Sequence, residues 1–119
     1  MVLEKKLNIS SLGERPELKA FALKTKDIVH AYDPLAELVL FGSRARGDCE
    51  PESEWDLLVL TKNENTDLLQ KLLIKDFLYK IEIPNDLAIS LLLKNEADWE
   101  ENYIVTPLYD SIRKEGIIL

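Results

Sequence analysis

Two carboxylates two residues apart, and a glycine-serine pair shortly before them, are the side chains here whose types and spacing suit chemistry. The segment Phe41-Gly42-Ser43-Arg44-Ala45-Arg46-Gly47-Asp48 follows a short apolar run, and Glu54-Trp55-Asp56-Leu57-Leu58-Val59 follows a polar stretch. A strand that ends in Gly42-Ser43 and turns into a helical start presents free backbone N–H groups, which attract anions. Gly42 lacks the Cβ that would block close approach of a phosphate. The Ser43 hydroxyl can donate to a phosphate oxygen, and Arg44 and Arg46 add positive charge. Glu54 and Asp56, two apart on a strand, project from the same face. Such carboxylates repel one another unless a cation lies between them. Mg²⁺ meets that need, because it takes oxygen ligands from one or two carboxylates together with substrate phosphates. A phosphate cradle beside a Mg²⁺ pair on adjacent strands is the equipment of nucleotidyl transfer, where the metal orients a triphosphate and stabilises charge on the leaving pyrophosphate.

Recurrent patterns supply the elements that must hold these groups. From Glu17 a helix is predicted, with Leu18, Phe21, Ala22, Thr25, Ile28, Val29 and Tyr32 on one face, Pro16 suited to its first turn and Asp33-Pro34 ending it. Leu38 to Phe41 is a short strand buried on both faces, closed by Gly42. Glu54 to Thr61 is a second strand, with Glu54, Asp56, Leu58 and Leu60 on one face and Trp55, Leu57 and Val59 on the other. Asp67 to about Ile81 is a helix opened by Thr66 or Asp67, its apolar positions Leu69, Leu72, Leu73 and Phe77. Ile83-Pro84-Asn85-Asp86 turns the chain into a third strand, Leu87 to Leu93. Asn95 with Asp98 opens another helix, Thr106-Pro107 opens the last, and Gly116 ends it after Arg113 and Lys114. Residues 1–16 read as a loosely attached lead-in and residues 17–119 as one α/β domain.

The chain has 119 residues, 15 Lys+Arg against 22 Asp+Glu, and a formal net charge of −7, so one small domain is expected. With 46% apolar and 31% charged residues it has a globular composition. The acidic balance lacks the basic footprint of a duplex nucleic-acid binder. Its longest apolar runs, 38–41, 57–60 and 87–93, are too short to span a bilayer, and the N-terminus carries no secretory signal, which points to the cytoplasm. One cysteine, Cys49, and one histidine, His30, exclude an intramolecular disulfide framework and a multi-His metal site.

The order Gly42-Ser43, ten residues (44 to 53), then Glu54-x-Asp56 resembles the Gly-Ser-(ten residues)-Asp-x-Asp signature of the DNA polymerase β-like nucleotidyltransferases. The run Leu40 to Asp48 is similar to that of the small stand-alone members, the minimal nucleotidyltransferases. Ile89-Ser90, Trp99-Glu100, Thr106-Pro107-Leu108-Tyr109 and Arg113-Lys114-Glu115-Gly116 resemble the tail of one subgroup, so the likeness covers residues 18 to 119. It implies an α/β (α+β) fold with a small mixed sheet flanked by helices. It also implies a nucleoside triphosphate donor such as ATP, one or two Mg²⁺ ions, and transfer of a nucleoside monophosphate to an acceptor. Such proteins are often paired with a HEPN-domain protein as a toxin–antitoxin system, the nucleotidyltransferase being the antitoxin that in some pairs adenylylates the toxin. By motif, Gly42 and Ser43 would hold the triphosphate, while Glu54 and Asp56 would bind metal.

Two departures accompany the likeness. The first acid is Glu54 where the family usually has Asp, one methylene longer against an ion that tolerates misplaced ligands poorly. A third carboxylate is expected on the next strand, as metal ligand or base. Its place falls near Leu87 or Ala88, which cannot serve, and Asp86 is the nearest candidate. These departures keep open a second class of function, an attenuated or inactive antitoxin acting by occlusion of its partner, as a homo- or hetero-oligomer. Competing uses also exist for single residues. Arg44 and Arg46 suit phosphates or pairing with surface acids; His30 and Cys49 read as incidental; Trp99, Tyr103 and Tyr109 read as packing.

Overall fold

The computed structural model describes residues 1–4, 15–80 and 89–119, and among these the apolar runs form a four-stranded sheet packed on both faces. The first helix, α1 (Pro16–Tyr32), buries Leu18, Phe21, Ala22, Thr25, Ile28 and Val29, the face expected from their spacing. Pro16 occupies its first turn, where an absent N–H costs nothing, and the Asp33 N–H donates to the Val29 carbonyl to close it. Tyr32 departs from that face: it is 40% exposed, and its hydroxyl donates to Asp76 Oδ2 at 2.7 Å.

After α1 come β1 (Glu37–Phe41), α2 (Gly42–Arg46), β2 (Trp55–Thr61), α3 (Thr66–Lys80), β3 (Ile89–Asn95), α4 (Glu96–Asn102), α5 (Pro107–Glu115) and β4 (Ile117–Ile118). The strand order is β3-β2-β1-β4, with β2 and β3 parallel and the β1–β2 and β1–β4 pairs antiparallel. This is the small mixed sheet that the resemblance implies.

Alternation along the strands divides the core in two. Leu38, Leu40, Trp55, Leu57 and Val59 join residues of α1 and α3 on one side, including Leu69, Leu73 and Phe77. Val39, Leu58 and Leu60 join Trp99, Tyr109 and Ile112 on the other, so the central strands are buried on both faces. The caps that aim α4 and α5 at this second layer were legible: Asn95 accepts from the Asp98 N–H and Thr106 from the Tyr109 N–H, each at 3.2 Å. Trp99 is fully buried, stacks on Tyr103 and lies tilted against Tyr109, ring centroids 5.3 Å from each, as packing.

Some expectations shift. Glu54 lies just before β2 instead of opening it. The final strand β4 was not anticipated; two residues long, it is too short to carry a periodic signal. The lead-in is not loose at its start, because Leu3 is buried and the Glu4 N–H donates to the Arg113 carbonyl at 2.8 Å. The 83–86 turn, Leu87 and Ala88 lie outside the described residues. No helix among the described residues is long and apolar enough to cross a membrane.

Candidate active site

Strand pairing brings the two halves of the motif together. In the β1–β2 register Phe41 is opposite Asp56, so the residue after Phe41 emerges beside that carboxylate. Gly42 takes φ +75°, a conformation L side chains rarely adopt, and leads straight into the short helix α2. A Cβ here would overlap Asp56 Oδ2 and lie 3.1 Å from its Cγ. The glycine therefore lets backbone and carboxylate share one space, and Ser43 follows half-buried. Gly47, at φ +90°, closes α2, its N–H donating to the Ser43 carbonyl at 2.9 Å.

Asp56 is partly buried, and its carboxyl is pushed above the ordinary carboxylate range. Burial is the main cause, followed by the charges of Glu54 and Glu115, with Arg46 opposing. Glu54, exposed, is thus electrostatically coupled to Asp56, as the two-residue spacing requires. The β2–β3 register sets Ser90, a hydroxyl and not a carboxylate, beside Asp56. Asp86 lies outside the described residues.

The two arginines have separate fates. Arg44 is 6% exposed. Its guanidinium donates to the Ser53 carbonyl at 3.0 Å and the Pro51 carbonyl at 3.1 Å, and lies 4.6 Å from the Trp55 ring centroid, with Trp55 itself stacked on Phe21. The donors of Arg44 are thus engaged by the 49–53 loop. Arg15, from just before α1, donates to the Arg44 and Ala45 carbonyls and so anchors the same turn. Arg46 reaches the surface, donating to Glu115 Oε2 at 2.9 Å and Asp48 Oδ2 at 3.1 Å.

Glu115 was missed in the sequence. Gly116 marks the end of α5, but nothing local indicates where that end goes. Antiparallel pairing of Leu40 with Ile117 and Val39 with Ile118 carries it to the mouth of the site. There Glu115 Oε1 accepts the Gly42 N–H at 3.1 Å while Oε2 pairs with Arg46. Identifying it requires the β1–β4 register, which the sequence pattern does not disclose.

Among the described residues no group of three or more His, Cys, Asp or Glu side chains is gathered to hold a metal. A cleft of about 820 Å³ opens at the far end of the sheet, where Lys62, Thr66, Asp67, Lys94, Asn95 and Glu96 line it. It contains none of the motif residues.

A search of curated proteins by sequence returned no significant match. Comparison with protein families matched residues 23–115 to the one described as Polymerase beta, Nucleotidyltransferase. The matched span starts within α1 and runs to the last residue of α5, taking in the Gly42 turn, the carboxylate strand and Glu115. That agreement between sequence and architecture assigns the chain to the polymerase β nucleotidyltransferase family.

Proposed function

We propose that the protein transfers a nucleoside monophosphate, AMP from ATP, to a HEPN-domain protein partner in a Mg²⁺-dependent reaction, as the antitoxin of a toxin–antitoxin pair. Family membership supports nucleotidyl transfer from a nucleoside triphosphate. The single observation that carries the reading is the packing of the Gly42 backbone against the Asp56 carboxylate, which sets the Gly42-Ser43 turn beside a metal-type ligand. The donor set fits a hard divalent cation. Asp56 is crowded by the like charges of Glu54 and Glu115, and a cation relieves that repulsion.

In this reading the Ser43 hydroxyl and the backbone after Gly42 hold the β- and γ-phosphates, with Arg46 at the rim. Glu54 and Asp56 are the metal ligands. Bound Mg²⁺ would supply charge neutralisation on the triphosphate and the departing pyrophosphate. The acceptor oxygen forms a bond to the α-phosphorus, the bond to the bridging oxygen breaks, and pyrophosphate leaves. The acceptor's hydroxyl proton passes to a carboxylate, the role we assign to Asp86. A net charge of −7 suits a protein acceptor better than a polynucleotide.

The test is label transfer with the co-purified partner. Label from α-labelled ATP, and not from γ-labelled ATP, should pass to the partner in Mg²⁺ and disappear in Asp56→Ala. A stable complex with no transfer in either protein would refute transfer and leave occlusion as the activity.

A further inference from the structure

Gly42 and Arg46, the groups that would meet a triphosphate on its anionic side, are already engaged by an anion of this chain. One carboxylate bridges them: Glu115 Oε1 accepts the Gly42 N–H at 3.1 Å and Glu115 Oε2 accepts from Arg46 at 2.9 Å. A phosphate would use its oxygens on a backbone donor and a guanidinium in the same way. We propose that Glu115 is a built-in stand-in for a phosphate, an autoinhibitory occupant that an incoming triphosphate must displace from Gly42 and Arg46. The inference rests on the reading of the Gly42–Arg46 turn as the phosphate side of the site.

Three features make the occupant displaceable. Glu115 is the last residue of α5, and rotation about its side-chain bonds vacates the position without unwinding the helix, which β4 holds to β1. Its charge faces that of Asp56, so the seat is electrostatically opposed as well as bonded. Arg46 is also paired with Asp48 at 3.1 Å, which keeps the guanidinium at the rim once Glu115 has left. Glu115 thus keeps both donors in bonding geometry, at the cost of weaker triphosphate binding.

A purely structural Glu115 makes the opposite prediction, since losing it would loosen Arg46 and the Gly42 turn and weaken binding. The experiment is calorimetric titration of inorganic triphosphate and of MgATP into the wild type, Glu115→Ala and Glu115→Gln. Glu115→Gln keeps both acceptor positions without the charge, and thermal unfolding verifies that each variant is folded. The expected result is binding about tenfold tighter in Glu115→Ala, the scale of removing one competing charge-assisted hydrogen bond, with a smaller gain in Glu115→Gln. The Gly42 amide resonance should also move in Glu115→Ala before ligand is added. Wild-type binding with unchanged or weaker binding in Glu115→Ala overturns this proposal alone. Absence of binding in the wild type and in both variants overturns the nucleotide-site reading and this proposal with it.

Discussion

Replacing Gly42 with alanine perturbs the candidate site at the contact where the backbone and the Asp56 carboxylate share space. Two costs add. An L residue at φ +75° is strained by about 1–2 kcal/mol. The new methyl also overlaps Asp56 Oδ2 and crowds its Cβ at 3.3 Å, an overpacking worth about 1–3 kcal/mol unless the carboxylate swings away. Gly47→Ala is the internal control, for it carries φ +90° but meets nothing within 4 Å, leaving strain alone. We expect urea unfolding to show Gly42→Ala destabilised by ~2–5 kcal/mol and Gly47→Ala by ~1–2 kcal/mol. Because the collision belongs to one pair, the double variant Gly42→Ala/Asp56→Ala should be less destabilised than the two changes summed, by ~1 kcal/mol or more. Calorimetry should show Gly42→Ala losing at least about tenfold in MgATP affinity while Gly47→Ala retains it. Equal stability loss in Gly42→Ala and Gly47→Ala, with additivity in the double variant, would refute the close-packing argument.

Three further outcomes follow from the same contacts. Burial and its acidic neighbours make Asp56 keep its proton to higher pH folded than unfolded. Ionising it therefore costs the native state stability, a cost absent below the ordinary value of 3.8 and growing as pH rises through the raised one. Asp56→Asn should accordingly unfold later than wild type near neutral pH and match it in acid, read from urea midpoints across pH. Tyr109, pushed up to about 12 by burial and its hydrogen bond to Glu100, stays protonated when the unfolded chain's phenol, at 10.0, has ionised. Stability should therefore fall as pH rises between those values, and Tyr109→Phe should flatten that limb of the pH profile. Arg44→Ala leaves the Ser53 and Pro51 carbonyls and the Trp55 face without their partner and should cost ~2–3 kcal/mol in chemical unfolding. Arg44→Lys should recover only part of that, lacking the planar fork.

The legible parts of this protein were those written in short-range periodicity. The faces of α1 and α3, the two-sided burial of β1 and β2 and the caps Asn95 and Thr106 each follow from residues within a few positions of one another. The Gly42-to-Asp56 relation was legible as spacing, and the β1–β2 register converts it into contact. The uses of Arg44 and Glu115 were not. A guanidinium in a Gly-Ser-Arg turn reads alike whether it is exposed or buried, and its burial against Trp55 depends on the packing of β2. Glu115 is 73 residues from Gly42, and only the pairing of the two-residue β4 with β1 closes that distance.

The central claim is that the Gly42–Asp56 junction binds a metal–nucleoside triphosphate. Titration calorimetry of MgATP and the other three Mg-nucleoside triphosphates, into wild type and Asp56→Asn, tests it most directly. The account predicts Mg²⁺-dependent binding by the wild type and at least about a tenfold loss in the stably folded Asp56→Asn protein. Binding unaffected by the substitution, or no binding of any of the four nucleotides by the wild type, would contradict it.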